Sequence, residues 1–389
     1  MRLTIPADDL YLAAKALLSI VPAKSSVGVG GHTGNPASSP LTCLRLEAAD
    51  DTLTVIGTDL DTSGEVKLAC DVIREGVAAA NARDLTAILR GWRGRDCELW
   101  LDGGGLLHLR AGKARARLTA VPPNEIPVVE MDELLDWVDL DRHLLNAGIG
   151  KVFHAVSQDD ARPATRGAYL KMNDLGSYVV VATDGHRLAQ TVTRDKAQTI
   201  PEALVEGVII PRESLVALQS LLSGDYIRAA FTKRWARFEG TSRSVTTRLI
   251  NASYPNYDRV IPDYRGVETA QVDRRELLDR LQTVGLFAPP DSHHVLLDLS
   301  EDALTLSTES SRGAIKAVMR SEAAYDKGRV TTVYAYDGPP KRNGINHHYL
   351  RDALQSMSED QICLMVGDGF SPCLLLEGED LYLIMPTRF

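Results

Sequence analysis

The chain has 389 residues, of which 44% are hydrophobic and 24% charged, and a formal net charge of −9. That length implies two or three domains of about 100–200 residues each, and no apolar run approaches the ~20 residues a membrane-spanning helix needs. The acidic balance argues against a uniformly basic nucleic-acid binder, but not against one that carries its cations on a single surface. Five cysteines without C-x-x-C spacing and an N-terminus, "MRLTIPADDL", without an apolar core point to reduced thiols in a cytoplasmic protein, with no disulfide framework and no zinc site.

In chain order, "PADDLYLAAKALLSIV" (6–21) has apolar residues at three- and four-residue spacing and reads as a helix that opens on Asp, which can cap it. "LTCLRLEAADDTLTVIGTD" (41–59) alternates, turns and alternates again, the pattern of a β-hairpin with one buried face. "NARDLTAILRGW" (81–92) is a second helix, and strands at 97–121 close the unit. The same order then returns twice. First helices follow at 139–156 and 271–287, hairpins at 166–184 and 293–310, second helices at 211–223 and 347–358, and closing strands at 226–250 and 361–385. The hairpins end on Thr58, Thr183 and Thr308, each 125 residues from the next. Pro-containing stretches at 121–133 and 260–270 read as linkers, which gives an α+β chain of three tandem repeats with domains at 1–129, 130–262 and 263–389.

The stretch "ATDGHRLAQ" (182–190) crowds Asp184, Gly185, His186 and Arg187 together at the end of a predicted strand. An Asp two residues from a His invites a catalytic reading, a hydrolase-like enzyme centred on Asp184 and His186. It lacks support: there is no G-x-S-x-G and no H-E-x-x-H. "VGVGGHTG" (27–34) is no phosphate loop, because no Gly-Lys-Ser/Thr follows it and it follows a helix; "DGGGLL" (102–107) reads as a hairpin turn.

Four segments carry a resemblance: "ATDGHRLA" (182–189), "VIIPRESLVAL" (208–218), "YPNYDRVIP" (254–262) and the C-terminal "LYLIMPTRF" (381–389). In this order, with three repeats, the chain resembles the β sliding clamps, the beta subunits of bacterial DNA polymerase III. The resemblance implies three DNA-clamp domains, each with two helices packed on antiparallel sheets, and a head-to-tail homodimer closing into a ring. It implies a processivity factor without catalytic activity, cofactor or metal, which encircles double-stranded DNA without reading its sequence. DNA polymerase subunits, the clamp loader and repair proteins would dock through short peptide motifs in a groove. By resemblance that groove comprises Thr165, Thr183, Gly185, His186, Arg187, Leu188, Pro255, Arg259, Val260, Phe370, Leu383, Met385, Pro386, Thr387 and Arg388. Leu, Val, Met and Pro would form an apolar trough, with a few polar groups fixing the peptide's direction.

By sequence alone the cations on or beside the repeated helices read as solvated faces of mixed charge; the ring geometry that the resemblance implies makes Lys24, Arg83, Arg90, Lys151, Arg162, Arg212, Arg275 and Arg351 the candidate DNA lining. Leu286 and Phe287, at the end of a charged helix, would face Leu118 across the dimer contact. The chain departs from the family in the Gly/Ser-rich 24–40, around 336–350, and in Thr165 and Phe370, where the family usually has an apolar and often has a smaller residue. A three-domain interaction scaffold that does not encircle DNA is the remaining alternative.

Overall fold

A computed structural model describes the chain apart from residues 24–38, 128, 130–136, 174, 194–200, 265, 322, 327–328 and 388–389; for 323–326 and 329–332 it describes the backbone only. Lys24 and Arg388 thus lie outside the described residues. Seven α-helices occur among the described residues: α1 (Ala7–Leu17), α2 (Ala82–Arg90), α3 (Arg142–Val152), α4 (Glu202–Glu206), α5 (Arg212–Leu221), α6 (Arg274–Gly285) and α7 (His347–Ser356). Six fall on the repeated helical segments. The single turn α4 has no counterpart in the repeat.

Asp141 caps α3 by accepting from the His143 and Leu144 N–H groups, and Asp273 caps α6 by accepting from Glu276. The first repeat departs from this expectation. Pro6 precedes α1 and offers no side-chain cap, and Asp8 instead accepts from the Arg93 guanidinium and the Gly94 N–H. Asn81 and Asn346 cap α2 and α7. All three predicted hairpins form: Cys43–Ala49 pairs with Thr52–Thr58, Gly167–Met172 with Tyr178–Thr183, and His294–Leu299 with Ala303–Ser310, each antiparallel.

The chain divides into two compact units, Met1–Asn146 with Asp195–Asn251, and Ala147–Arg194 with Ala252–Phe389. The middle repeat contributes to both, and the reason is strand pairing. Its Arg243–Arg248 pairs antiparallel with Thr62–Ala69 of the first repeat, and its Arg187–Val192 pairs antiparallel with Asp380–Ile384 of the last. Each unit therefore holds a sheet that continues from one repeat into the next.

In the first unit, α1 packs on α2 and α5, with Leu10, Leu17, Leu85 and Leu221 fully buried. Ala114–Thr119 is an edge strand of the five-stranded sheet. In the second unit α6 packs on α7, and Gly313–Arg320 is an edge strand of a four-stranded sheet. Cys43, Cys97 and Cys373 are buried thiols, and burial pushes the Cys43 thiol up to about 11. Among the described residues no helix is long and apolar enough to cross a membrane.

Gly64 marks the tightest approach in the first unit. A Cβ there would lie 2.6 Å from Ile20 Cδ1 and 2.7 Å from Leu17 Cδ2, in a core where Leu17 has no exposure. Gly64→Ala is therefore expected to destabilise the chain by about 1–3 kcal/mol through overpacking. A lowered midpoint in urea unfolding is the check; an unchanged midpoint would show that α1 has slack to move.

Candidate functional site

The Thr-Asp pair at the end of Tyr178–Thr183 builds a turn. Thr183 Oγ1 donates to the Arg187 carbonyl at 2.7 Å and accepts from the Gly185 N–H at 3.1 Å. Asp184 Oδ1 accepts from the His186 and Arg187 N–H groups at 2.9 and 3.0 Å, and Oδ2 accepts from Arg187 Nε at 3.0 Å. Gly185 sits at φ +89°, a conformation that favours glycine.

The first repeat builds the same turn. Thr58 Oγ1 donates to the Thr62 carbonyl and accepts from Leu60 N–H, and Asp59 Oδ1 accepts from the Asp61 and Thr62 N–H groups. Leu60, at φ +86°, stands where the middle repeat has Gly185. Asp184 is thus spent on backbone and on Arg187. The His186 ring lies instead near Tyr349, stacked at 6.4 Å between centroids. Among the described residues no nucleophile and base are paired here, which removes the geometric basis of the hydrolase reading.

Arg187 is a strut between the turn and α7. Its side chain is 14% exposed, its Nη1 donates to Asp352 at 2.8 Å, and its guanidinium lies 4.6 Å from the Tyr349 ring centroid, so it ties the turn to α7. Thr165 is buried and donates to the Arg162 carbonyl. The Arg162 guanidinium covers Gly185 closely enough that a Cβ there would lie 2.7 Å from Nη1. Arg162, expected at DNA, stands over this turn.

Behind the turn lies an apolar bed. Leu188 and Leu383 are buried in one cluster with Val179, Val181, Tyr257, Met365, Leu374 and Leu381. Tyr254 and Tyr257 point into it. Tyr254 donates to the Val181 carbonyl and stacks on Tyr169 at 4.8 Å, and burial pushes its phenol up. The inward tyrosines leave Pro255, Arg259 and Val260 exposed on the same short segment. The chain's tail crosses alongside: Met385 N–H donates to the His186 carbonyl at 2.9 Å, Pro386 bridges Ile345, and Thr387 N–H donates to the Gly344 carbonyl.

The structure thus gathers Thr183, Gly185, His186, Leu188, Leu383, Met385 and the 254–260 segment. Phe370 is 91% exposed and is not among the residues packed on this bed. Tyr254, Tyr257, Met365 and Leu374 were missed by sequence reasoning. The two tyrosines, spaced i and i+3 within "YPNY", were the available signal.

Family models for the DNA polymerase III beta subunit match the chain in three consecutive pieces: the N-terminal domain over residues 32–130, the central domain over 139–256 and the C-terminal domain over 258–388. The chain belongs to the DNA polymerase III beta subunit family. It is 27% identical to the beta sliding clamp of Caulobacter vibrioides over 402 residues, covering all of both chains. It is 27% identical to that of Pseudomonas aeruginosa over 345 residues, covering 86% of this chain and 89% of the relative. Among solved structures, the Caulobacter crescentus beta sliding clamp is 26% identical and covers 100% of this chain and 99% of its own, with a TM-score of 0.84. The fold also matches the P. aeruginosa beta subunit, at 22% identity, full coverage of both chains and a TM-score of 0.86. Beta subunits are non-catalytic processivity factors, so family and geometry together overturn the hydrolase alternative.

The candidate DNA cations of this beta-subunit chain fare unequally. Arg83 and Arg90 are exposed on one face of α2, with Ala87 between them. Arg212 is half-buried. Arg275 pairs with Asp360 at 2.9 Å, and Arg351 with Asp352 at 2.9 Å. Lys151 is a correction. Its ammonium is held by Glu377 at 2.7 Å and Asp380 at 2.5 Å, and its side chain is only 19% exposed, so it has no freedom to take a phosphate. It lies on the face of α3 that meets the strand pair Cys373–Glu377 and Asp380–Ile384, which sequence periodicity does not reveal.

Burial alone would raise the Glu377 carboxyl, but the Glu359 N–H, the Lys151 ammonium and the Ser358 N–H together hold it below the ordinary carboxylate range. A lowered folded-state value stabilises above the unfolded value, about pH 4.3, and that contribution is lost as the pH falls through the folded value. Lys151→Met strands two buried carboxylates and is expected to cost about 3–5 kcal/mol at neutral pH. The gap to the parent should narrow towards about pH 4, where protonation of Glu377 relieves its stranded charge. Urea unfolding at both pH values measures this; a gap independent of pH would show that the carboxylates do not depend on Lys151.

Proposed function

We propose that two copies of this chain close head to tail into a ring that encircles duplex DNA without sequence preference, and that the surface over 183–188, 254–260 and 383–387 takes short peptides from polymerase subunits, the clamp loader and repair proteins. The end-to-end family match carries this reading. The three domains would be 1–129, 130–262 and 263–389, and the compartment the cytoplasm.

Two edge strands support the ring. Ala114–Thr119, with half-buried Leu118, and Gly313–Arg320 each have one paired side and one open side within their sheets. Open edges are a liability unless something covers them, and joining one to the other across a subunit contact covers both. Leu286, 68% exposed at the end of α6, and half-buried Phe287 fit the same contact. On the DNA side the support is the Arg83–Arg90 face of α2, with Lys15 exposed on α1.

At the groove, His186 and Met385 are exposed above buried Leu188 and Leu383, so an incoming peptide would meet a buried apolar floor with an exposed rim. Static light scattering at micromolar concentration is expected to give twice the 42.4 kDa chain mass; a monomer would favour the scaffold reading. Arg83→Glu with Arg90→Glu is expected to shorten retention on circular duplex DNA and leave the dimer intact, because these contacts are to phosphate.

The groove is tested by titrating a fluorescent polymerase-derived peptide. Removing Met385–Phe389 leaves strand Asp380–Ile384 in place and is expected to abolish binding. His186→Ala should weaken binding only about fivefold, the worth of about 1 kcal/mol from one rim contact. Unchanged affinity after truncation would place the peptide elsewhere.

A further inference from the structure

Two histidine pairs, His293–His294 and His347–His348, are 54 residues apart and play no part in the proposed groove. The fold brings three of these four side chains together. His294 turns aside to Ser292 Oγ at 2.8 Å. The other three imidazoles offer ligand nitrogens that all lie within 4.8 Å of one another. His293 and His348 are 4.6 Å apart between ring centroids, and His347 and His348 are 4.0 Å apart.

The backbone holds this arrangement from several sides. His293 sits at φ +53°, an uncommon conformation for a non-glycine residue. Its N–H donates to the Pro289 carbonyl at 2.8 Å, and its carbonyl accepts from the His347 N–H at 2.9 Å. Asn346 caps α7 by accepting from the His348 N–H, which fixes the first turn that presents both His347 and His348. Gly285 at the end of α6 makes room for the His347 ring: a Cβ there would lie 2.6 Å from His347 Nδ1. His348 Nδ1 is buried with no hydrogen-bond partner among the described residues, which is unfavourable when nothing binds it. The three rings open into a pocket of about 660 Å³ whose lining includes Arg312 and Arg351 but no carboxylate.

We propose that His293, His347 and His348 bind one divalent transition-metal ion. An all-imidazole set suits zinc, copper or nickel and discriminates against calcium and magnesium, which want oxygen. Zinc–nitrogen bonds of about 2.0–2.1 Å need nitrogens about 3.4 Å apart in a tetrahedron, so the rings close by roughly an ångström each. The fourth position faces the pocket and is open to water. The sequence shows no zinc signature here because these ligands come from the residue before a strand and from a helix start, not from one short spacing.

The test uses the full-length chain without an affinity tag, stripped with EDTA and titrated with Co²⁺, then Zn²⁺. A visible cobalt absorption that saturates at one ion per chain and is displaced by Zn²⁺ is expected. His293→Asn, chosen because Asn tolerates the left-handed backbone, and His348→Gln should each weaken uptake at least tenfold. His294→Gln should leave it unchanged. Zinc should raise the melting temperature of the parent and of His294→Gln but not of the other two variants, which also reports that those variants fold. No cobalt absorption, undiminished uptake in His293→Asn and His348→Gln, or uptake lost in His294→Gln would each overturn the proposal.

Discussion

The antiparallel pairing of Arg187–Val192 with Asp380–Ile384 joins the middle of the chain to its end, and the proposed groove depends on it. The register sets Leu188 opposite Leu383, so both enter the same apolar cluster. It also carries the tail past His186, whose carbonyl receives the Met385 N–H. The same strand pair supplies the Lys151 clamp, since Asp380 begins one strand and Glu377 ends its neighbour. Asp380 Oδ1 in turn accepts from Thr191 Oγ1 at 2.6 Å, so one carboxylate ties the strand partner and α3 together. Backbone ladders supply the geometry here, and one buried charge cluster locks the register.

The Thr-Asp turn is a scaffold element kept in two of the three repeats. In the first and middle repeats the threonine hydroxyl and aspartate carboxylate satisfy the same N–H and C=O groups. The copies differ in what covers them. In the first, Leu60 carries the left-handed conformation that a side chain resists. In the middle one Gly185 takes it without strain, and the absent Cβ is what lets Arg162 lie across the turn. The last repeat drops the turn: Thr308 lies within a strand that runs on to Ser310, and its hydroxyl donates to the His294 carbonyl. The catalytic look of "TDGHR" is therefore the look of a well-satisfied turn.

Legibility in the sequence followed the range of the interaction. Alternation and helical spacing are local, and all three hairpins and six repeated helices were readable from them. Caps were readable where the acid directly precedes the helix, as at Asp141 and Asp273, and misread at Asp8, which spends its carboxylate on Arg93 and Gly94, more than 80 residues away. The two-unit division was not readable, because it rests on strand pairings that cross the repeat boundaries. Lys151 was misplaced for the same reason, and the contact of Arg162 with Gly185 was equally hidden: both neighbours, Glu377 and Gly185, are set by tertiary structure. The groove residues came from resemblance to a family, and the tyrosines beneath them from the structure.

The charge pattern bears on how a ring of such chains would hold DNA. The chain carries a net charge of −9, and several cations on its repeated helices are answered internally, Arg275 by Asp360, Arg351 by Asp352 and Lys151 by two carboxylates. Arg83 and Arg90 stay exposed together on one face of α2. Each phosphate contact adds affinity and steepens salt dependence, so a sparse lining binds weakly and releases easily. Weak binding is a defect in a protein that must stay by affinity. In a closed ring, retention comes from topology, and strong phosphate contacts would only slow the movement along the duplex that tethering a polymerase requires. The neutralised helices therefore agree with encirclement better than with a scaffold that grips DNA from one side.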